Sequence, residues 1–124
     1  MIIGTGIDIV EIARFKKILD GKGEYFLRRV FTPEEQRFCL ARQYPEQHLA
    51  ARFAAKEAVF KALGTGWTKG VTWLSVEVNR PEQGAPTILL YGVAREIAVS
   101  KGVVRINLSL THTNSYAAAT AILE

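Results

Sequence analysis

Ala51-Arg52-Phe53-Ala54-Ala55-Lys56-Glu57-Ala58-Val59-Phe60-Lys61-Ala62-Leu63-Gly64-Thr65-Gly66 is the stretch from which the rest of the chain is best read. It is rich in helix formers until Gly64, which can take the positive φ that closes a helix. Pro45 suits a first helical turn, so the reading predicts one long helix from about Pro45 to Leu63. Leu49, Phe53, Val59, Phe60 and Leu63 supply apolar anchors, and the intervening alanines allow close packing. That composition describes a helix buried on much of its circumference. Yet it carries Arg52, Lys56, Glu57 and Lys61, and charges are rarely buried without a partner. Glu57 and Lys61 share a face one turn apart, which is either a solvent-facing pair or part of a site.

Working outward, the chain of 124 residues is expected to be one domain, 1–124, long enough to bury a core. Cys39 is alone, so no internal disulfide is possible; that fits a reducing cytoplasm, and Cys39 reads as core filler. No apolar run approaches the ~20 residues of a membrane span and no secretory pattern opens the chain, so a cytoplasmic protein without membrane association is expected. The net charge of +4 favours anionic partners without choosing among nucleic acid, phosphorylated cofactors and acidic proteins.

Toward the N-terminus, Ile2 to Val10 reads as a strand, with Ile3, Thr5, Ile7 and Ile9 on one face and Gly4, Gly6 and Asp8 on the other. The glycines beside the carboxylate leave room for a ligand or another backbone, although Asp8 could equally cap the following helix. Glu11 to Leu19 is a short amphipathic helix with Ile12, Phe15, Ile18 and Leu19 inward and Arg14, Lys16 and Lys17 outward. Asp20-Gly21-Lys22-Gly23 ends it, and Tyr25 to Val30 forms a second helical piece. Thr32-Pro33-Glu34-Glu35 is a helix start with Thr32 as cap and Glu35 able to bond back.

Toward the C-terminus, Leu74 to Val78 and Thr87 to Tyr91 read as strands joined by a turn-rich connection, Arg80 to Pro86. Val93 to Ser100 is a short helix closed by Gly102. Val104 to Leu110 alternates apolar even positions with polar odd ones; Thr113-Asn114-Ser115 turns the chain into a last strand, Tyr116 to Leu123. The expected class is α+β: an antiparallel sheet, which the N-terminal strand can rejoin, packed with one long helix and several short ones.

Asp8 and Glu57 are oxygen donors from separate elements, the type of ligand that suits Mg²⁺ with waters and substrate phosphates. Lys61, one turn from Glu57, can reach a phosphate beside such a metal. Zinc spacing, a P-loop and a dinucleotide fingerprint are all missing from the sequence.

Phe53-Ala54-Ala55-Lys56-Glu57-Ala58-Val59-Phe60-Lys61 resembles the signature of 4′-phosphopantetheinyl transferases: an aromatic, a small residue, any residue, Lys-Glu, a small residue, two of any type, then Lys. The family's second signature, Gly-x-Asp near a strand end, is matched by Gly6-Ile7-Asp8. Ser109-Leu110-Thr111-His112-Thr113 is similar to its last motif. Small size and the Met1 start point to the holo-acyl-carrier-protein synthase branch.

The resemblance implies that the phosphopantetheine arm of coenzyme A is transferred to a serine of an acyl carrier protein, releasing adenosine 3′,5′-bisphosphate, in fatty acid biosynthesis. It implies Asp8 and Glu57 as Mg²⁺ ligands, and Lys61 as a contact to phosphate or the leaving oxygen. Glu57 can also assist deprotonation. His112 and Thr113 then hold phosphates of coenzyme A, with Gly64 beside them in the cofactor-binding set. Arg52 either joins them or is a helix-surface residue. Arg14 matches a docking position for the acidic helix of the carrier. The resemblance further implies a homotrimer with sites shared between neighbours, in which Asp8 and the long helix can meet across an interface. Three rivals stand beside this reading: a nucleic-acid-binding module, a non-catalytic coenzyme A binder, and another Mg²⁺-dependent phosphate-transfer enzyme. The first lacks an aromatic pair on adjacent strands and a recognition helix, so no nucleic-acid partner is expected.

Overall fold

The computed structural model of the protein describes residues 1–66, 70–81 and 83–124. Glu82, inside the expected connection of Arg80 to Pro86, lies outside the described residues. Along the chain, strand β1 (Gly4–Glu11) is followed by helices α1 (Ile12–Val30), α2 (Pro33–Leu40) and α3 (Pro45–Leu63). A single 3₁₀ turn, Trp73–Ser75, leads into β2 (Val76–Asn79) and β3 (Thr87–Leu90). Helix α4 (Gly92–Ser100) and strands β4 (Ile106–His112) and β5 (Tyr116–Leu123) complete the chain.

The strands form two antiparallel sheets among the described residues, β1-β5-β4 and β2-β3, where one was expected. β5 is the central strand, pairing Ala119 with Asp8 of β1 and Ala117 with His112 of β4. The Ala117-Ala118-Ala119 run has helical propensity, but pairing on both sides holds it extended; tertiary context overrides the local preference.

Helix α3 lies across the inner face of the larger sheet, and the small residues are what allow it so close. A Cβ on Gly6 would collide with the carbonyl oxygen of Ala58, and one on Gly4 with that of Ala62. Ala117, Ala119 and Ala121 of β5 are buried beneath the same helix. The glycine face of β1 therefore points inward, and its isoleucine face points out: Ile7 and Ile9 are each 65% exposed. The cluster around Val59, Leu63, Val76, Leu108 and Leu123 forms one half of the core. Phe15, Phe31, Leu49 and Cys39 lead the other, where α1 and α2 meet α3. Phe53 bridges this half to Trp73, with stacked rings at 4.7 Å. Burial pushes the Cys39 thiol up to about 11, so it is a packed thiol rather than a nucleophile.

Helix boundaries follow local chemistry. Thr32 caps α2 in a complete capping box with Glu35. Gly64 takes φ 72° and closes α3. In α1, Gly23 adopts φ 54°, ψ −134° and breaks the helix into the two expected pieces, although the first runs beyond Leu19. Ile18, expected inward, is 43% exposed.

Lys56 and Glu35 form a fully buried ion pair at 2.8 Å. Lys56 Nζ also donates to the carbonyls of Trp73 and Val76, while Glu35 accepts from the amides of Thr32 and Val78. Burial pushes the Lys56 ammonium down and Glu35 pulls it back up. Glu35 and two backbone carbonyls satisfy the ammonium, and two backbone amides complete the carboxylate, which makes the pair tolerable in the interior and ties α3, α2 and β2 together.

Candidate active site

On one flank of α3, Asp8, Glu57 and Lys61 line a cleft of ≈ 410 Å³ with Arg14, Phe15, Ile18 and Phe53. Strand alternation aims Asp8 inward, and the helix repeat sets Phe53, Glu57 and Lys61 at successive turns facing it. Lys61 does not pair with Glu57 as their spacing suggested. Its Nζ reaches across to Asp8 Oδ1 at 3.0 Å and to the carbonyl of Ile7 at 2.9 Å. Partial burial, then the charge of Asp8, raise the Glu57 carboxyl above its ordinary range; Lys61 acts in the opposite sense. Asp8 caps no helix: α1 begins after Glu11, which makes no side-chain cap.

Asp8 and the long helix therefore meet within a single chain, and the expectation that they join across an interface is corrected. Among the described residues no group of three or more His, Cys, Asp or Glu side chains converges. Two carboxylates on a cleft with open volume fit a hard cation that draws its remaining ligands from water and substrate oxygens, as Mg²⁺ does. They do not fit a closed four-ligand zinc site.

On the other flank of α3, a pocket of ≈ 640 Å³ is lined by Arg42, Arg52, Arg80, His48, His112 and the ring of Phe38, among others. Arg52 is no surface residue: it is 2% exposed, with its guanidinium 4.2 Å from the Phe38 ring centroid. Its Nε and Nη2 have no hydrogen-bond partner among the described residues. Burial lowers its pKa, a cost that an anion in the pocket would offset. His112 ends β4 with the inward parity of Leu108 and Leu110, and its ring lies 5.5 Å from that of His48 in an edge-to-face arrangement.

The sequence candidates thus divide. Asp8, Glu57, Lys61 and Arg14 share the acidic cleft, and Arg52 and His112 share the basic pocket. No described residue lines both. Gly64 and Thr113 line neither. Gly64 ends α3, and Thr113 Oγ1 accepts from the amides of Ser115 and Tyr116 in the hairpin turn. Sequence reasoning missed His48, Arg42 and Arg80. His48 had a signal, since it precedes Arg52 by one helical turn.

The sequence profile of the 4′-phosphopantetheinyl transferase superfamily matches residues 4–121. The chain is 48% identical over 124 residues to the holo-[acyl-carrier-protein] synthase of Koribacter versatilis, spanning 100% of this chain and 99% of that protein. It is 50% identical over 127 residues to the enzyme of the same name from Anaeromyxobacter dehalogenans, spanning 100% and 97%. Its fold is similar to the solved holo-[acyl-carrier-protein] synthase of Neisseria meningitidis, with TM-score 0.89, 34% identity and coverage of 100% and 99%. The Helicobacter pylori synthase, solved in complex with coenzyme A, aligns with TM-score 0.84 and 30% identity, covering 97% and 99%. With both family signatures meeting in one cleft and the profile spanning nearly the whole length, this chain belongs to the 4′-phosphopantetheinyl transferase superfamily.

Proposed function

We propose that this protein is a holo-acyl-carrier-protein synthase. It transfers the 4′-phosphopantetheine arm of coenzyme A to a serine of apo-acyl carrier protein in fatty acid biosynthesis. The observation that carries this reading is the meeting of Asp8, Glu57 and Lys61 in one cleft of a chain with full-length similarity to such synthases. The chain acts as a single domain, in the cytoplasm.

In the reaction the serine oxygen attacks the β-phosphorus of the coenzyme A pyrophosphate. The bond to the adenosine-bearing phosphate breaks, and the serine proton is lost. Asp8 and Glu57 would hold Mg²⁺, which neutralises pyrophosphate charge and stabilises the leaving phosphate when bound. The Lys61 ammonium, held at the cleft by Asp8 and the Ile7 carbonyl, donates to a phosphate oxygen and stabilises charge that grows there. Glu57 can also assist removal of the serine proton, directly or through a water. The basic pocket holds the 3′-phosphomonoester of coenzyme A through Arg52 and His112; Gly64, at the C-terminal end of α3, and Thr113, in the hairpin turn, do not line it. Arg14, exposed at the lip of the cleft, meets the acidic helix of the carrier.

The acidic cleft and the basic pocket lie on opposite flanks of α3, so one coenzyme A is bound between copies of the chain. The outward isoleucines of β1, with Tyr116 and Ile122 of β5, form the apolar face on which copies pack as a homotrimer. Light scattering that gives a monomer mass at assay concentration contradicts this arrangement. The activity itself is tested by incubating the protein with coenzyme A, Mg²⁺ and an apo-acyl carrier protein. The expected result is a carrier heavier by one phosphopantetheine, with equimolar adenosine 3′,5′-bisphosphate. An unchanged carrier mass overturns the reading.

A further inference from the structure

His48 is half-buried on the first half of α3 and faces the basic pocket, yet nothing in the family signatures draws attention to it. Its ring packs edge-on to Phe38 at 6.1 Å and to His112 at 5.5 Å between centroids. The charged and titratable groups around it come from every side of the pocket. They are Arg52 on α3, Arg42 before it, Arg80 after β2 and His112 at the end of β4. Among the described residues no carboxylate lines this pocket.

We propose that His48 is a binding residue for the phosphomonoester of coenzyme A and takes up a proton as that group enters the pocket. The inference rests on the coenzyme A reading above and deepens it. Burial and then the charges of His112, Arg52, Arg42 and Arg80 all push the imidazole toward its neutral form. A phosphomonoester carries close to two negative charges above its second pKa of about 6. Seated among three guanidinium groups, it reverses the local field and favours imidazolium on the ring beside it. Arg52, which lines the pocket, has its Nε and Nη2 unpartnered among the described residues, donors that an anion there would help to satisfy. The pyrophosphate belongs at the acidic cleft and does not share this linkage.

The sign is fixed by the direction of the change. A histidine whose pKa is higher in the complex than in the free protein strengthens binding as pH falls through the complex value. The gain saturates below the free value. Between pH 8 and pH 6.5 the phosphate stays largely dianionic, so affinity for coenzyme A should rise roughly fivefold from the histidine alone.

Calorimetric titration with coenzyme A and with 3′-dephospho-coenzyme A, each in two buffers of different ionisation enthalpy, tests this. Expected is net proton uptake for coenzyme A only, and a coenzyme A to dephospho-coenzyme A affinity ratio that widens by about fivefold toward pH 6.5. His48→Phe, which keeps a ring against Phe38, and His48→Gln should both remove the uptake and flatten the ratio while coenzyme A still binds. Full uptake in either variant assigns the proton elsewhere and overturns the proposal. So does a ratio above one that is independent of pH in the wild-type protein, which leaves the coenzyme A site standing. Equal affinity for the two ligands at all pH values overturns the proposal and the pocket assignment together.

Discussion

Asp8 and Glu57 face one cleft with Lys61 bonded to the first, and the two carboxylates repel. Because the Glu57 carboxyl is raised in the folded chain above its ordinary 4.5, ionised Glu57 costs stability at neutral pH. That cost fades as pH falls and vanishes below the unfolded value. Glu57→Gln should therefore stabilise the ligand-free protein at pH 7.5 by up to about 1 kcal/mol after solvent screening, with no gain near pH 4. Thermal melts at the two pH values check this, and a lower melting temperature at pH 7.5 contradicts it. The same substitution should abolish transfer, so stability and activity would move in opposite directions at one residue. Lys61 is half-exposed, and its pair with Asp8 contributes little to folding. In the proposed reaction its worth lies in a charge held at the cleft for the reacting phosphate. Lys61→Ala should lower kcat roughly 10²–10³-fold with the fold intact. An unchanged kcat at saturating coenzyme A would leave Lys61 as no more than the partner of Asp8.

Helix α3 organises the molecule through the different jobs of its charges. Lys56 holds the fold, Glu57 and Lys61 face the acidic cleft, and Arg52 faces the basic pocket. Lys56→Met removes one partner of a fully buried pair and strands Glu35, so it should destabilise the protein by about 3–5 kcal/mol. Denaturant unfolding should show recovery in the double variant Lys56→Met with Glu35→Gln. Helix α1 presents Arg14 at the cleft with Lys16 and Lys17 exposed nearby. Arg14→Glu should raise KM for the carrier, more steeply at low salt, and leave KM for coenzyme A nearly unchanged. Equal changes in both constants would place Arg14 with the coenzyme instead. The span of α3, its glycine stop, the capping box of α2 and the last hairpin were all legible in the sequence, because each is a local signal. Three features were not. The inward turn of the glycine face depends on α3 seating against Gly4 and Gly6, which alternation alone does not reveal. The burial of Lys56 depends on Glu35, 21 positions away, reaching the same point. The switch of Lys61 from Glu57 to Asp8 requires the strand to lie beside the helix, and (i, i+4) spacing speaks only of the helix itself.

At the scale of the whole molecule, β5 separates β1 from β4 and thereby holds Asp8 and His112 on opposite edge strands. Helix α3 above them turns one flank to each. The signatures single out the candidate residues; their division between two flanks follows from strand order, which the motifs do not encode. If copies share one coenzyme as proposed, the exposed isoleucine face of β1 is where they would pack. The central claim is that the carboxylates of one cleft hold the cation that the transfer requires. Its most direct measurement is the single-turnover rate of phosphopantetheine transfer to apo-acyl carrier protein, read by carrier mass against Mg²⁺ concentration. Wild-type protein, Asp8→Asn and Glu57→Gln should be compared, all with coenzyme A saturating. The predicted result is a wild-type rate that saturates with Mg²⁺ and disappears with chelator, and variants that stay inactive at every concentration while melting as folded proteins. A wild-type rate indifferent to Mg²⁺, or wild-type turnover in either variant, would contradict the account.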